Sequence, residues 1–379
     1  MPKLRLSVLD QSPIPDGSSA SAAFAATIAL ARLADRLGYE RYWLAEHHNT
    51  QGLAGSSPEV LIARVAAETS RIRVGSGGVM LSHYSPLKVA ESFRVLHALY
   101  PGRIDLGVGR APGSDQLTAA VLAQGRPQPI ERFGQQLHDL AGFLYDALPP
   151  DHPYHNVHAT PRGPGAPEMW LLGSGGDSAA YAAVLGFGYS YAHFINPNAA
   201  EESLSTYRQH FRPLFELDAP RASMAVRVVC AETAAEARRI ASSFALQRLR
   251  MEQGRLGRVP SVAEALAYPY SEAELARVEA IPRSRVCRRP RAGQNAPDGP
   301  RDSARDRRTG GGHDYPRSGR AAAVLRVAGR GLRAVTEPRG AQSERGGQVD
   351  ATAGDPHDQT GQLVVLARRS HSSSARRIG

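Results

Sequence analysis

The chain has 379 residues, of which 42% are hydrophobic, so it is long enough for one large α/β barrel or two ordinary domains. The net charge of +10 lies almost wholly in residues 287–379, where 18 Arg and 9 acids leave +9. The other 286 residues carry about +1 (28 basic minus 27 acidic), which argues against a nucleic-acid-binding surface. No eighteen-residue apolar run and no signal-peptide pattern is present, so we expect a cytoplasmic protein without a membrane span.

Apolar runs bounded by turn residues alternate with amphipathic segments along residues 1–286, a pattern typical of strands that alternate with helices. The predicted strands cover residues 4–10, 39–48, 72–81, 103–110, 168–174, 189–195 and 223–232. A predicted helix follows each of them, and the helices end near residues 38, 70, 99, 148, 186, 215 and 254. Seven such repeats favour a (β/α)8 TIM barrel over a two-layer α+β fold, but no eighth strand or helix is visible.

Residues 287–379 differ from the rest of the chain because they are rich in Arg, Gly, Ala, Pro and Ser and contain one aromatic residue, Tyr315. One interpretation is a disordered tail, and another is an Arg/Gly-rich arm that binds nucleic acid, although such arms usually interleave aromatic residues. A third interpretation is a shifted reading frame. Codons can be chosen for residues 287–337 that, when they are read one nucleotide further on, encode a helix, the strand ELVVVT, a closing helix and a stop. We therefore expect a barrel domain at residues 1–286 and a disordered, non-native tail at residues 287–379, with the eighth strand and last helix lost.

Glu46, His47 and His48 close the second predicted strand. A histidine beside a carboxylate at the carboxyl end of a barrel strand suits a general base or a hydrogen-bond donor in the barrel mouth. The alternative is a structural histidine that hydrogen-bonds the following loop. We expect no metal site, because adjacent strand residues point to opposite faces and no further ligands are well placed.

Glycines and a lone arginine mark the next strand ends. Three glycines among residues 75–78 indicate that a flat ring or another stretch of backbone approaches the strand closely. The alternative is a β-bulge. Arg110, between glycines at the end of the fourth predicted strand, suits an anion such as phosphate or else a surface salt bridge. The Gly/Ser loop at residues 172–178 precedes a helix, as in phosphate sites, but also as in a plain capped turn. His193 and Asn196 end the sixth predicted strand and are weaker candidates for the same mouth.

Taken in order, these motifs resemble the bacterial luciferase-like flavin monooxygenase family. The resemblance rests on EHH at residues 46–48, GSGG at 75–78, GRAPG at 109–113 and LLGSGGDS at 171–178, and it covers about residues 3–286. The segment LSVLDQSPI at residues 6–14 is similar to a single-component subgroup of flavin-dependent oxidoreductases.

The resemblance implies a barrel that binds reduced FMN at its carboxyl-terminal mouth and uses O2 to oxygenate a small organic substrate. It implies that a cis peptide at Gly77–Gly78 lies beneath the flavin ring and that His47 is catalytic, with Glu46 orienting it. The implied phosphate contacts are Arg110, Ser174, Gly175 and Ser178.

The resemblance also leaves alternatives open. Light emission is not expected, because Gly109 stands where luciferases carry a reactive cysteine. An F420-dependent oxidoreductase and a non-catalytic or defective flavin-binding product are the other candidates. A separate NAD(P)H flavin reductase and a homodimer are both compatible with the family.

Overall fold

The computed structural model describes residues 4–125, 132–255, 257–281, 285–288 and 362–369. Its strands are β1 (Leu4–Asp10), β2 (Arg41–Leu44), β3 (Arg73–Ser76), β4 (Val79–Met80), β5 (Ile104–Gly109), β6 (Glu168–Gly173), β7 (Gly188–Ala192), β8 (Ala222–Ala231), β9 (Arg285–Arg288) and β10 (Gln362–Arg369). Its α-helices are α1 (Ala20–Arg36), α2 (Pro58–Ala67), α3 (Pro86–Leu99), α4 (Gln116–Leu122), α5 (Arg132–Tyr145), α6 (Gly176–Val184), α7 (Ala200–His210), α8 (Ala234–Glu252), α9 (Val262–Ala267) and α10 (Glu272–Ala280).

Local sequence explains where several helices begin. The Ser19 hydroxyl accepts a hydrogen bond from the amide of Ala22, which caps α1, and Thr233 caps α8 in the same way. Proline occupies the first turn of α2 and α3, where its missing N–H costs nothing. The longer helices, such as α1 and α5, bury an apolar face in the core that surrounds the sheet.

The strands from β1 to β8 form one parallel sheet in the order β1-β2-β3-β5-β6-β7-β8, and β4 pairs with β5. Alternate residues face two different cores, as expected for strands covered on both sides. Leu9, Trp43 and Trp170 belong to a small cluster inside the barrel. Their strand neighbours Val8 and Tyr42 belong to the large core beneath the helices. The prediction of a luciferase-like TIM barrel is confirmed.

β10 occupies the place of an eighth strand. It lies between β1 and β8 and is antiparallel to both, so that the ring of described strands closes. The apolar run QLVVLARR thus supplies a strand at this place in the chain as written, and the loss of the original eighth strand and last helix stays a prediction. β9 spans the predicted domain boundary and pairs in parallel with β8. Residues 289–361 and 370–379, on which the prediction of a disordered tail also falls, lie outside the described residues.

The third predicted strand is split into β3 and β4 by the peptide between Gly77 and Gly78, which is cis. Gly75 pairs with Asp105, whereas Val79 pairs with Val108, so three residues of the split strand oppose two residues of β5. This is a bulge with one extra residue. It lies near the carboxyl end of the barrel, where β4 leads into the mouth.

The opposite, amino-terminal end of the barrel is closed by buried ion pairs. Arg41 contacts Asp105 at 3.0 Å and Glu168 at 2.8 Å. Arg73 also pairs with Asp105, and Arg221 also pairs with Glu168. Burial alone would raise the pKa of Glu168, but these arginines lower it. Charges at this end of a barrel stabilise the fold and are remote from the ligand-binding end.

α8 and the loop that follows it lie at the carboxyl end. Asp16 and Ile14, in the loop that leaves β1, form backbone hydrogen bonds with Val259. The Ser243 hydroxyl of α8 donates to the carbonyl of Pro260 at 2.6 Å. This segment therefore borders the mouth of the barrel. None of the helices in the described ranges is both long and apolar enough to cross a bilayer.

Candidate active site

The carboxyl ends of β2, β4, β5 and β6 are neighbours in the ring, so their end residues share one mouth. Glu46 is 1% exposed and lies just beyond β2. Its Oε1 accepts hydrogen bonds from the Tyr84 hydroxyl at 2.6 Å and from His48 Nε2 at 2.8 Å. Its Oε2 accepts from the amide of Met80 at 3.0 Å. Glu46 thus ties the end of β2 to the end of β4.

His47 has different surroundings. Within the described residues, no hydrogen bond joins the Glu46 carboxylate to His47. The contacts therefore do not support the expectation that Glu46 orients His47 directly. The His47 amide donates to the carbonyl of Gly55 at 2.8 Å, while its buried Nδ1 lacks a hydrogen-bond partner within the described chain. Burial, together with the neighbouring His48, lowers the pKa of His47 to about 4. A neutral imidazole with one open nitrogen is able to accept or relay a proton.

The glycines of the split strand are needed for close approach. A Cβ on Gly75 would overlap the backbone of Asp105, and one on Gly78 would lie 2.9 Å from the carbonyl oxygen of Gly107. A Cβ on Gly77 would lie 2.5 Å from Leu9 Cδ1, inside the barrel. The close approach of another backbone, that of β5, therefore explains why residues 75 and 78 are glycines.

Arg110 begins a loop that is anchored at several points. His83 Nε2 lies 2.7 Å from the carbonyl oxygen of Pro112, and the His48 amide donates to the carbonyl of Gly113 at 3.0 Å. Gly113 has a φ of +60°, which favours glycine, and a side chain there would meet Met80. These contacts hold the Arg110 loop against the ends of β2 and β4.

The loop from Gly173 to Ser178 joins β6 to α6. Its carbonyls are turned toward β7, because Tyr189 donates to the carbonyl of Gly175 at 3.2 Å and Asn196 Nδ2 donates to that of Ser174 at 3.2 Å. Gly175 is the N-cap of α6 and offers no side-chain cap, so the first amides of α6 are available to an acceptor. The Ser178 hydroxyl donates to the carbonyl of Gly175 at 3.0 Å.

Arg110 and this loop meet across the mouth. Arg110 Nη1 lies 3.5 Å from Asp177 Oδ2, and both side chains are substantially exposed. The structure therefore places Arg110 against the loop that carries Ser174, Gly175 and Ser178, through its contact with Asp177. That these residues bind a phosphate stays a prediction. The described residues contain no group of three His, Cys, Asp or Glu side chains arranged to hold a metal.

The sequence analysis did not identify two tyrosines that contact the predicted site residues. Tyr84 donates to Glu46, and Tyr189 donates to the carbonyl of Gly175. Asn196 was a candidate for the mouth, and the structure shows its role to be support for the loop carbonyl of Ser174. His193 follows β7 in the same turn.

Comparison with known proteins identifies the family. The model of the luciferase-like monooxygenase family matches residues 4–298. This chain belongs to the luciferase-like monooxygenases. An uncharacterised protein of Bacillus subtilis, YceB, is 48% identical over 276 residues, which are 73% of this chain and 83% of that protein. The N-acetyl-S-alkylcysteine monooxygenase of Bacillus subtilis is 41% identical over 267 residues, 70% of this chain and 79% of its own.

Solved structures agree with this family. Apo-MsnO8 superposes with a TM-score of 0.65 at 47% identity, covering 70% of this chain and 78% of its own. The oxygenating constituent of 3,6-diketocamphane monooxygenase from Pseudomonas putida, solved in complex with FMN, has a TM-score of 0.51 at 22% identity. It covers 64% of this chain and 71% of its own length, and at that identity the likeness shows the shared fold alone.

Proposed function

We propose that this luciferase-like monooxygenase binds reduced FMN in the barrel mouth and uses O2 to oxygenate a small organic substrate. The observation that carries the proposal is the meeting of Arg110 with the uncapped amino terminus of α6. A guanidinium and free backbone amides form a seat for a phosphate. The structure solved with FMN has the same fold as this chain, and the choice of cofactor rests on the phosphate seat itself.

The residues present fit an FMN phosphate. Tyr189 and Asn196 keep the carbonyls of Ser174 and Gly175 away from the α6 axis, so an anion at the helix terminus meets donors. The Ser178 hydroxyl donates within the loop and is able to turn toward a phosphate oxygen. With FMN bound, Arg110 would contact the phosphate in place of Asp177.

Reduced FMN supplies the electrons that activate O2 for transfer of one oxygen atom to the substrate. The protein positions the ring and handles protons. We assign the proton-handling role to His47, whose Nδ1 is open and whose lowered pKa keeps the ring neutral at physiological pH. Glu46 acts at a distance, because it holds His48, Tyr84 and Met80 around the site.

FMN is favoured over F420 by charge. F420 carries a long acidic tail, which requires several cations beyond the phosphate seat. The phosphate seat offers Arg110, and Asp177 beside it adds a negative charge. This balance suits the single phosphate of FMN.

Binding to FMN and to riboflavin, measured by fluorescence titration of the full chain, tests the seat. We expect FMN to bind more tightly than riboflavin. R110M should lower the affinity for FMN about tenfold and leave the affinity for riboflavin unchanged. R208M on the exposed face of α7 is the matched control. Equal loss of both flavins in R110M, or tighter binding of F420 than of FMN, would contradict the proposal.

Turnover tests the reaction. The name of the 41% identical relative makes an N-acetyl-S-alkylcysteine the first substrate to try. With photoreduced FMN and O2 we expect a product one oxygen atom heavier, and H47Q to abolish most of this activity while keeping FMN bound. A second reaction with NADH and FMN, with and without an added flavin reductase, shows whether a separate reductase supplies the electrons.

A further inference from the structure

Arg227 is an interior arginine to which the proposed function gives no task. It lies on β8 two residues beyond Ala225, and Ala225 pairs with Ala192 at the end of β7. Ala225 packs inside the barrel, whereas Val226 and Val228 pack beneath the helices. Because side chains alternate along a strand, Arg227 points into the barrel at its carboxyl-terminal, ligand-binding end.

The neighbours of the Arg227 guanidinium are aromatic. Its central carbon lies 3.2 Å from the ring centre of Phe244 on α8 and 5.6 Å from that of Phe194, which follows β7. Phe194 packs against the inner-barrel cluster, and α8 borders the mouth. The cation is therefore held between the barrel interior and the helix above it.

No acid in the described part of the chain forms an ion pair with Arg227, and the charged group that acts on it is a second cation, Arg248. The paired strand β10 also contains no Asp or Glu in its sequence. Burial and Arg248 both lower the pKa of Arg227, although a guanidinium remains charged at neutral pH.

The other interior arginines show how unusual this is. Arg41 and Arg73 at the amino-terminal end each contact a buried carboxylate. Arg94 donates to the backbone carbonyls of Pro161 and Leu144. A partly buried cation without an anion is costly unless a ligand supplies one.

We propose that Arg227 binds a carboxylate group of the substrate and that Phe194 and Phe244 contact the apolar part of the same substrate. The substrate class is then small organic acids with an apolar portion. This proposal rests on the proposed function, which makes the mouth of the barrel the place where the substrate binds. It assigns Arg227 a different ligand from Arg110, which lies on the loop after β5, with β6 and β7 between the two strands.

The chain contains a reporter for this site, because both of its tryptophans, Trp43 and Trp170, lie in the inner-barrel cluster with Phe194. We would titrate the full chain with 3-phenylpropionate and with its neutral amide and follow tryptophan fluorescence. We expect the acid to bind roughly tenfold more tightly than the amide, the effect of one charge-assisted hydrogen bond. R227M should remove this preference by weakening the acid and leaving the amide unchanged, and R227K should keep most of it.

R227Q serves as a second neutral variant should R227M not fold, and R208M on α7 is the surface control. Equal affinities for acid and amide in the unmodified chain, or equal loss of both in R227M, would overturn the proposal. So would a fall in the FMN-to-riboflavin affinity ratio in R227M, which would assign Arg227 to the flavin phosphate. The titration contains no flavin, so a chain that prefers the acid but fails to bind FMN contradicts the proposed function alone.

Discussion

At the residue scale, Glu46 shows why a carboxylate is required at the end of β2. It accepts three hydrogen bonds, and a neutral amide has one oxygen and a donor group in their place. We expect E46Q to lower the free energy of unfolding by about 2–3 kcal/mol, because at least one buried donor loses its acceptor. Y84F removes a single donor and should cost about 1 kcal/mol, measured by urea unfolding at pH 7. A loss in E46Q no larger than in Y84F would show that Glu46 does not join the three groups.

His47 predicts a pH dependence of stability. Its folded-state pKa of about 4 lies below the value of about 6.5 in unfolded chains. The unfolded state therefore binds more protons between these pH values, and the contribution of His47 falls as the pH drops from 7 toward 4. From this group alone we expect the chain to be about 2 kcal/mol less stable at pH 5 than at pH 7.

H47Q isolates this contribution because it carries no titrating imidazole. Urea unfolding of both proteins at pH 7 and pH 5 gives the comparison, and the stability difference between the two pH values should shrink by about 2 kcal/mol in H47Q. The same shift in both proteins would mean that His47 titrates normally. It would then be able to carry a charge in the site, which alters its proposed role.

At the element scale, the pairing of β3 and β5 depends on glycine. A Cβ on Gly107 would overlap the carbonyl oxygen of Ser76 on β3. A second contact holds these two residues together, because the Ser76 hydroxyl donates to the carbonyl of Gly107 at 2.8 Å. We expect G107A to cost about 2–3 kcal/mol through displacement of the strands.

Gly109, two residues further on the same strand, is the matched control. The space around a Cβ there is open within 4 Å, so G109A should be neutral or slightly stabilising. Thermal unfolding of both variants measures the difference. Similar losses in the two would indicate that loss of backbone flexibility, and not contact between strands, is responsible.

The sequence predicted elements better than contacts. Each of the seven predicted strands is present, because short apolar runs bounded by turn residues indicate strands that are buried on both faces. The split at Gly77–Gly78 was suggested by glycine content and by family resemblance together, since a bulge has no periodicity of its own. The contacts of Tyr84 with Glu46, of Tyr189 with Gly175 and of Arg227 with Phe244 join residues far apart in the chain, and no local pattern predicts such contacts.

At the scale of the whole molecule, the barrel is closed by β10. Val365 pairs with Val8 on one side and with Val226 on the other. V365P removes an amide from a strand paired on both sides, which we expect to cost about 3 kcal/mol or more in the chain as written. S373P, beyond β10, is the control, and differential scanning calorimetry of both gives the measurement. An unchanged melting temperature in V365P would contradict closure of the barrel by β10.

The frame-shift hypothesis remains a prediction about the gene. The restored sequence contains a strand, ELVVVT, followed by a closing helix, and this strand needs the edges of β1 and β8 that β10 now occupies. We expect the restored chain to be more stable and to bind FMN more tightly, because a parallel strand with its own helix matches the rest of the barrel. Equal stability and FMN affinity of both chains, or an unbroken frame on resequencing codon 287, would sink the hypothesis.

The extra residue at the bulge also sets the phase of the strand. In an uninterrupted strand that keeps Val74 beneath the helices, Val79 would point into the barrel. Instead Val74 and Val79 both lie in the core beneath the helices, and the amide of the next residue, Met80, donates to Glu46. The arrangement of the mouth therefore depends on how many residues separate β3 from β4, and not only on which residues they are.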